Sequence, residues 1–181
     1  SELDPQFQWD LTPMFESDAA WEPALENLDA EIDSVAAFAG KLSDAITIGA
    51  YLDATTELNR KVEQLYCYAS MRHDEDTRGE AAQSMYARIN SKYVKLITAL
   101  SFAQPEILEI PDETMNGFLE TDELKAYKLQ IERLLAKKPH MLSEKEEAIL
   151  ASASEIAHTP SSVFSLFNNA DLKFDPVEDE N

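Results

Sequence analysis

Residues 47–72 read TIGAYLDATTELNRKVEQLYCYASMR and contain the most regular apolar spacing in the chain. Side chains three or four positions apart share one face of a helix, and this stretch advances in such steps. The residues in that rhythm are Ile48, Tyr51, Thr55, Leu58, Val62, Leu65, Ala69 and Arg72. The pattern predicts one long helix with a buried face, roughly 40 Å in length at about 1.5 Å per residue.

The same rhythm occurs before this helix. Ser17 or Asp18 is predicted to cap a first helix, and Gly40 to end it. The predicted inward residues of that helix are Trp21, Leu25, Leu28, Ile32 and Val35. Pro13 blocks an earlier start, so the preceding segment is predicted to dock through apolar anchors. These anchors are Trp9, Leu11, Met14 and Phe15.

Further helices are predicted after residue 76. Residues 77–80, Thr-Arg-Gly-Glu, have the form of a capping box that starts a third helix, which Pro105 ends or kinks. A short helix is expected over 112–119. Another begins at Thr121 or Asp122 and ends at Pro139, with inward residues Leu124, Tyr127, Ile131, Leu134 and Leu135. A second capping box, Ser143 to Glu146, opens a helix that runs to Pro160.

The texture changes near the C-terminus. Residues 171–177, DLKFDPV, alternate polar and apolar side chains, a pattern that favours a β-strand, and EDEN at 178–181 is typical of a turn. The predicted fold class is therefore all-α, an antiparallel bundle of long helices with a short β-strand or incomplete hairpin at the C-terminus. The predicted domains are a helical N-terminal lobe at 1–160 and a short helix and strand at 161–181.

Charge and composition exclude several kinds of partner. The chain of 181 residues carries 35 acidic and 15 basic side chains, a net charge of −20. Such a surface repels phosphate groups, so we predict no nucleic-acid and no membrane partner. No apolar run approaches the roughly 20 residues that span a bilayer. Cys67 is the single cysteine, which favours a reducing compartment, and the predicted location is the cytoplasm.

The candidate metal ligands are few and scattered. The three histidines are His73, His140 and His158, and none belongs to a His-Glu-x-x-His pair. Glu155 and His158 form one Glu-x-x-His, whereas a di-iron bundle needs two such motifs and two further glutamates. His140 and Glu144 are four apart, but the predicted helix starts between them. We therefore predict no catalytic, cofactor-binding or metal-binding residue in this chain.

Other reactive or binding side chains are predicted to be structural. Cys67 lies beside the buried stripe of the long helix, which favours a small core side chain. Two aromatic pairs stand out, Tyr66 with Tyr68 and Tyr86 with Tyr93. Aromatic side chains at helical spacing are more typical of a core than of a ligand cage.

Several stretches together resemble the oligoendopeptidase F family. The most specific one runs through Leu134, Leu135, Lys138, Pro139, His140, Leu142, Ser143, Glu147, Leu150 and Ala151. Further matching stretches are Trp9 to Leu11 with Phe15 and Trp21, Leu65 to Ala69 followed by Asp74 to Thr77, Ser101-Phe102 with Pro105 to Leu108, and Asn169 to Phe174 with Asp179-Glu180. These stretches follow the family pattern in order over nearly the whole chain.

The resemblance implies the N-terminal region of a thimet-oligopeptidase-like zinc metallopeptidase. Such proteins are large helical clamshells that cleave short peptides inside the cell, and their zinc ligands, a His-Glu-x-x-His pair and a later Glu, lie in the C-terminal part. The implied role is a non-catalytic lobe that helps to wall the substrate channel. The implied cofactor is zinc in the parent enzyme, and the implied partners are its C-terminal catalytic domain and an oligopeptide substrate. The alternative is an acidic helical-bundle interaction module without enzymatic activity.

Overall fold

The computed structural model describes residues 9–75, 79–140, 159–161, 163–164, 167–168 and 172. Helices dominate these residues, and no strand occurs among them. The α-helices are α1 (Asp18–Ala36), α2 (Ala45–Glu75), α3 (Glu80–Ala99), α4 (Ala103–Glu109), α5 (Asp112–Phe118) and α6 (Lys128–Lys137). Two 3₁₀ turns accompany α6, one before it (Lys125–Tyr127) and one after it (Lys138–His140). The prediction of a helical bundle is confirmed.

Local sequence sets the helix ends. The Ser17 hydroxyl accepts a hydrogen bond from the Ala20 amide at 3.3 Å, which confirms the predicted cap of α1. Gly40, at φ +74°, turns the chain after α1, in the left-handed region that glycine tolerates best. Asp44 then accepts from the Thr47 amide at 2.9 Å at the start of α2.

Helices α1, α2 and α3 contact one another pairwise. Along α1 the ion-pair partners on α2 come in reverse order, Arg72 at Asp18 and Lys61 at Glu31, so these two helices are antiparallel. The partners on α3 come in the same order, Arg88 at Glu22 and Lys92 at Asp29. The first three helices therefore run up, down and up, the arrangement that short connections favour.

The predicted stripes form the core between these helices. Trp21 is fully buried, and its indole N–H donates to the Leu65 carbonyl at 3.0 Å. The other predicted inward residues of α1 are all buried, namely Leu25, Leu28, Ile32 and Val35. The buried part of the predicted stripe on α2 consists of Ile48, Tyr51, Leu58, Val62, Leu65 and Ala69. The three-four spacing therefore predicts the core positions of α1 and α2 from the sequence.

The segment from α4 to α6 packs against the connection between α1 and α2 and the first half of α2. The Glu106 carboxylate accepts from the Gly40 amide at 2.6 Å and the Leu42 amide at 3.4 Å. The Tyr127 hydroxyl donates to Asp53 at 2.6 Å. Leu124 and Ile131 are buried as predicted. Tyr127, Leu134 and Leu135 are partly buried against the same core.

Some local predictions differ from the structure. The N-cap of α3 is Gly79, and Thr77 of the predicted capping box lies outside the described residues. Pro105 lies in the first turn of α4, where its missing N–H costs least. Trp9 is 82% exposed and does not anchor its segment. Cys67 is exposed because two positions along a helix rotate it about 200° from Leu65, away from the core.

The chain forms two compact units, 1–136 and 137–181. In the second unit, residues 159–161 and 163–164 are helical, and 167–168 form a π-helical turn. The predicted C-terminal strand is not supported. Of its residues 171–177 only Leu172 is described, and its amide donates to the Phe167 carbonyl at 2.9 Å, a bond along the chain rather than across a sheet. The domain boundary at 160 stays a prediction, and the helix predicted from Ser143 lies mostly outside the described residues.

Candidate functional site

The described part of the chain contains no group of three His, Cys, Asp or Glu side chains that could hold a metal ion. His73 lies in the last turn of α2, where its ring stacks on Tyr86 with centroids 5.1 Å apart. His140 ends the 3₁₀ turn after α6. The two pairs considered and rejected as metal ligands, Glu155 with His158 and His140 with Glu144, both include residues outside the described ranges. The structure thus brings none of the described histidines to a shared site.

The tyrosines pair differently from their spacing in sequence. The hydroxyls of Tyr66 and Tyr86 are 3.0 Å apart, and this hydrogen bond raises the pKa of Tyr66. Tyr68 is buried on another side of α2 and points toward α1. Tyr93 is 47% exposed. Tyr66 and Tyr86 therefore join α2 to α3, whereas Tyr68 joins α2 to α1.

A surface groove of about 510 Å³ runs between residues 9–19 and the C-terminal half of α2. Its floor is an interhelical cluster in which Asp18 accepts from the Tyr68 hydroxyl at 2.8 Å and from two nitrogens of Arg72 at 3.0 Å each. Arg72 also contacts Glu75. The Phe15 ring meets Tyr68 edge-on with centroids 5.3 Å apart.

The charges of this cluster stabilise one another. The Arg72 guanidinium lowers the pKa of the Asp18 carboxyl, and the carboxylate in turn raises the pKa of Arg72. Burial raises the pKa of Tyr68 to about 12, and its hydrogen bond to Asp18 contributes to that rise. At neutral pH the groove therefore holds an ionised Asp18–Arg72 pair and a protonated Tyr68. Because these groups bind each other, their arrangement fixes the start of α1 on α2.

Sequence reasoning placed Arg72 on the inward stripe of α2 without assigning it a partner. The available signal was its position, since a charged side chain on an otherwise apolar stripe needs an opposite charge. The partner itself could not be found from spacing because Asp18 lies 54 positions away.

The second compact unit carries an apolar pocket of about 650 Å³. The pocket is lined by Thr159, Pro160, Val163, Phe164 and Phe167. Val163, Phe164 and Phe167 are all more than half exposed, which is unusual for large apolar side chains grouped within five positions.

Known proteins with closely related names match almost the whole chain. The sequence profile described as Oligopeptidase F matches residues 106–174. The plasmid-encoded oligoendopeptidase F of Lactococcus lactis subsp. cremoris is 38% identical over 183 residues, a match that covers 99% of this chain. The chain belongs to the oligoendopeptidase F family. The oligopeptidase PepF of Bacillus subtilis is 36% identical, again over 99% of this chain.

The chain spans about 30% of the length of the curated relatives that it matches. Together with the profile match, this share is consistent with an N-terminal region of an oligoendopeptidase F. A crystal structure from Chlamydophila abortus, described as that of a candidate peptidase, shares the fold with a TM-score of 0.70. The likeness covers 99% of this chain and 31% of that one at 23% identity. Among the described helices, none combines the length and apolar character that a bilayer span requires.

Proposed function

We propose that this chain is the non-catalytic N-terminal lobe of an intracellular zinc metalloendopeptidase that hydrolyses oligopeptides. One observation carries the proposal: nearly the whole chain aligns with proteins named oligoendopeptidase F, of which it spans about 30%. The remaining part of such a protein would supply the zinc ligands and the catalytic groups.

The role proposed for the lobe is to help wall the substrate channel. The three-helix core and its interhelical ion pairs make a stiff support for such a wall, because close-packed interiors resist deformation. A wall of this kind would admit short peptides and exclude folded proteins by size. The proposed partners are the C-terminal catalytic domain of the same chain and an oligopeptide, and the proposed location is the cytoplasm.

The test compares this chain with the complete parent protein. We expect the parent to hydrolyse an internally quenched oligopeptide and to leave a folded protein intact. A chelator should abolish that activity, and added zinc should restore it. This chain alone should be inactive. A complete protein that binds no zinc and cleaves no peptide would instead favour the alternative, an acidic interaction module.

A further inference from the structure

One face of α3 carries no charge. Tyr86, Asn90, Tyr93 and Ile97 follow one another in steps of four, three and four, so they lie in one stripe along the helix. Gln83, Ala87 and Val94 flank the stripe on one side at helical spacing. These seven residues are called the uncharged face. A solvent-facing helix surface normally carries charged side chains, and 28% of this chain is charged.

The charged residues of α3 lie elsewhere on the helix. Arg88 forms an ion pair with Glu22 of α1 at 2.5 Å, and Lys92 with Asp29 at 2.5 Å. Lys95 lies 3.1 Å from Asp29. These contacts turn the basic side of α3 toward α1, and the single acidic residue of the helix, Glu80, is in its first turn. The charged side chains of α3 therefore all lie outside the uncharged face.

The uncharged face is exposed over its second half. Tyr93 is 47% exposed, Val94 63% and Ile97 55%. On the core side of the same helix, Met85, Ile89 and Leu96 are all buried. At the first half of the uncharged face Tyr86 meets Tyr66 of α2. At its second half the described residues leave the apolar side chains of Tyr93, Val94 and Ile97 exposed. Grouped exposed apolar side chains mark surfaces that bind another protein surface.

We propose that the uncharged face packs against the remainder of the parent chain, which presents an uncharged, apolar surface to Tyr93, Val94 and Ile97. This inference rests on the proposed function. The match to the Lactococcus relative covers 30% of that protein. Most of such a protein therefore lies outside the matched region, and this remaining part is the proposed partner of the uncharged face.

A second copy of this chain fits the face less well than the remainder of the parent chain. Each copy carries a net charge of −20, so self-association brings two strongly acidic surfaces together. A free oligopeptide also fits less well. From Tyr86 to Ile97 the stripe runs roughly 16 Å along a convex helix, at about 1.5 Å per residue, whereas small ligands bind in concave sites.

The experiment measures the accessibility of single thiols in two proteins, this chain and the complete parent protein. Exposed Cys67 is first replaced by serine. Val94→Cys then reports on the uncharged face, and Ile97→Cys is a second reporter. Ser84→Cys is the matched control, because Ser84 is exposed on the same helix but outside the face. The probe is fluorescein maleimide, and the observable is the labelling rate at neutral pH.

We expect the two face reporters to react in the complete parent at least tenfold more slowly than in this chain. The Ser84→Cys control should react at similar rates in both proteins. Equal rates for the face reporters in the two proteins would overturn the proposal. Protection in this chain that grows with protein concentration would overturn the proposal in favour of a second copy. Protection that appears only on adding an oligopeptide would overturn it in favour of a peptide ligand. The readout needs no peptidase activity, so an inactive parent with protected thiols would refute the proposed function alone.

Discussion

Arg72 on α2 holds both carboxylate oxygens of Asp18, the first residue of α1, through two hydrogen bonds of 3.0 Å. The two residues are 54 positions apart, so the pair fixes the relative position of two antiparallel helices. The Tyr68 hydroxyl donates to the same carboxylate at 2.8 Å. One acidic group at the start of α1 therefore joins it to two successive turns of α2.

Replacing Arg72 by alanine should destabilise the chain. The paired side chains are 36% and 39% exposed, so solvent screens part of their attraction, and we expect a loss of about 1 kcal/mol in the free energy of unfolding. Urea denaturation measures it. The control is Arg60→Ala, whose pair with Glu57 is 74% and 61% exposed and should cost less than about 0.5 kcal/mol. Equal losses in the two variants would contradict the assigned role.

The Asp18–Arg72 pair should also give stability a specific pH dependence. The folded-state pKa of Asp18 lies below its ordinary value of 3.8, so its contribution is present above that pH and is lost as the pH falls through the folded pKa. The difference in unfolding free energy between the native chain and Asp18→Asn should therefore be constant at neutral pH and shrink below about pH 4. A difference that grows on acidification would contradict the lowered pKa.

The two tryptophans should behave differently in fluorescence and stability. Trp21 is fully buried and donates to Leu65, whereas Trp9 is 82% exposed. Trp21→Phe should cost about 1–3 kcal/mol because the Leu65 carbonyl loses a partner and a small cavity forms. Trp9→Phe should change stability by less than about 0.5 kcal/mol. Emission from the Trp9→Phe variant should be blue-shifted and resist acrylamide, and that from the Trp21→Phe variant should be readily quenched.

We expect position 49 to require glycine, because the backbone of Glu123 lies close to it. A Cβ built at Gly49 would lie 3.0 Å from the Glu123 carbonyl oxygen, whereas one at Gly117 meets nothing within 4 Å. Helix propensity favours alanine at both positions by about 1 kcal/mol. We expect Gly117→Ala to stabilise the chain and Gly49→Ala to destabilise it by about 1 kcal/mol, because the contact must open. Thermal unfolding compares them, and equal stabilisation by both would show that Glu123 moves freely.

This chain alone should bind no zinc tightly. Its histidines are three in number and lie on separate segments, whereas a catalytic zinc site needs about three convergent ligands. Titration calorimetry at neutral pH should show no stoichiometric binding at micromolar zinc. Stoichiometric binding that disappears on replacing a single histidine would reveal a site that spacing does not predict.

The amino-acid sequence alone was enough to place the core on α1, α2 and α6, because a helix repeats every 3.6 residues and leaves a one-dimensional pattern of apolar side chains. It also predicted that Trp21, Leu65 and Ile131 are buried. It identified the family as well, because the resemblance to that family extends over nearly the whole chain. Each of these features depends on residues that are neighbours in sequence or on an ordered series of such stretches.

Only the tertiary structure decided which side chains meet across helices. The sequence grouped Tyr66 with Tyr68. In the folded chain Tyr66 is hydrogen-bonded to Tyr86, and Tyr68 donates to Asp18. It also decided that Cys67 faces outward and that α3 keeps an apolar side exposed. These outcomes depend on how each helix is rotated against its neighbours. That rotation is set by the packing of whole faces and by contacts as remote as Arg72 with Asp18, for which local periodicity holds no information.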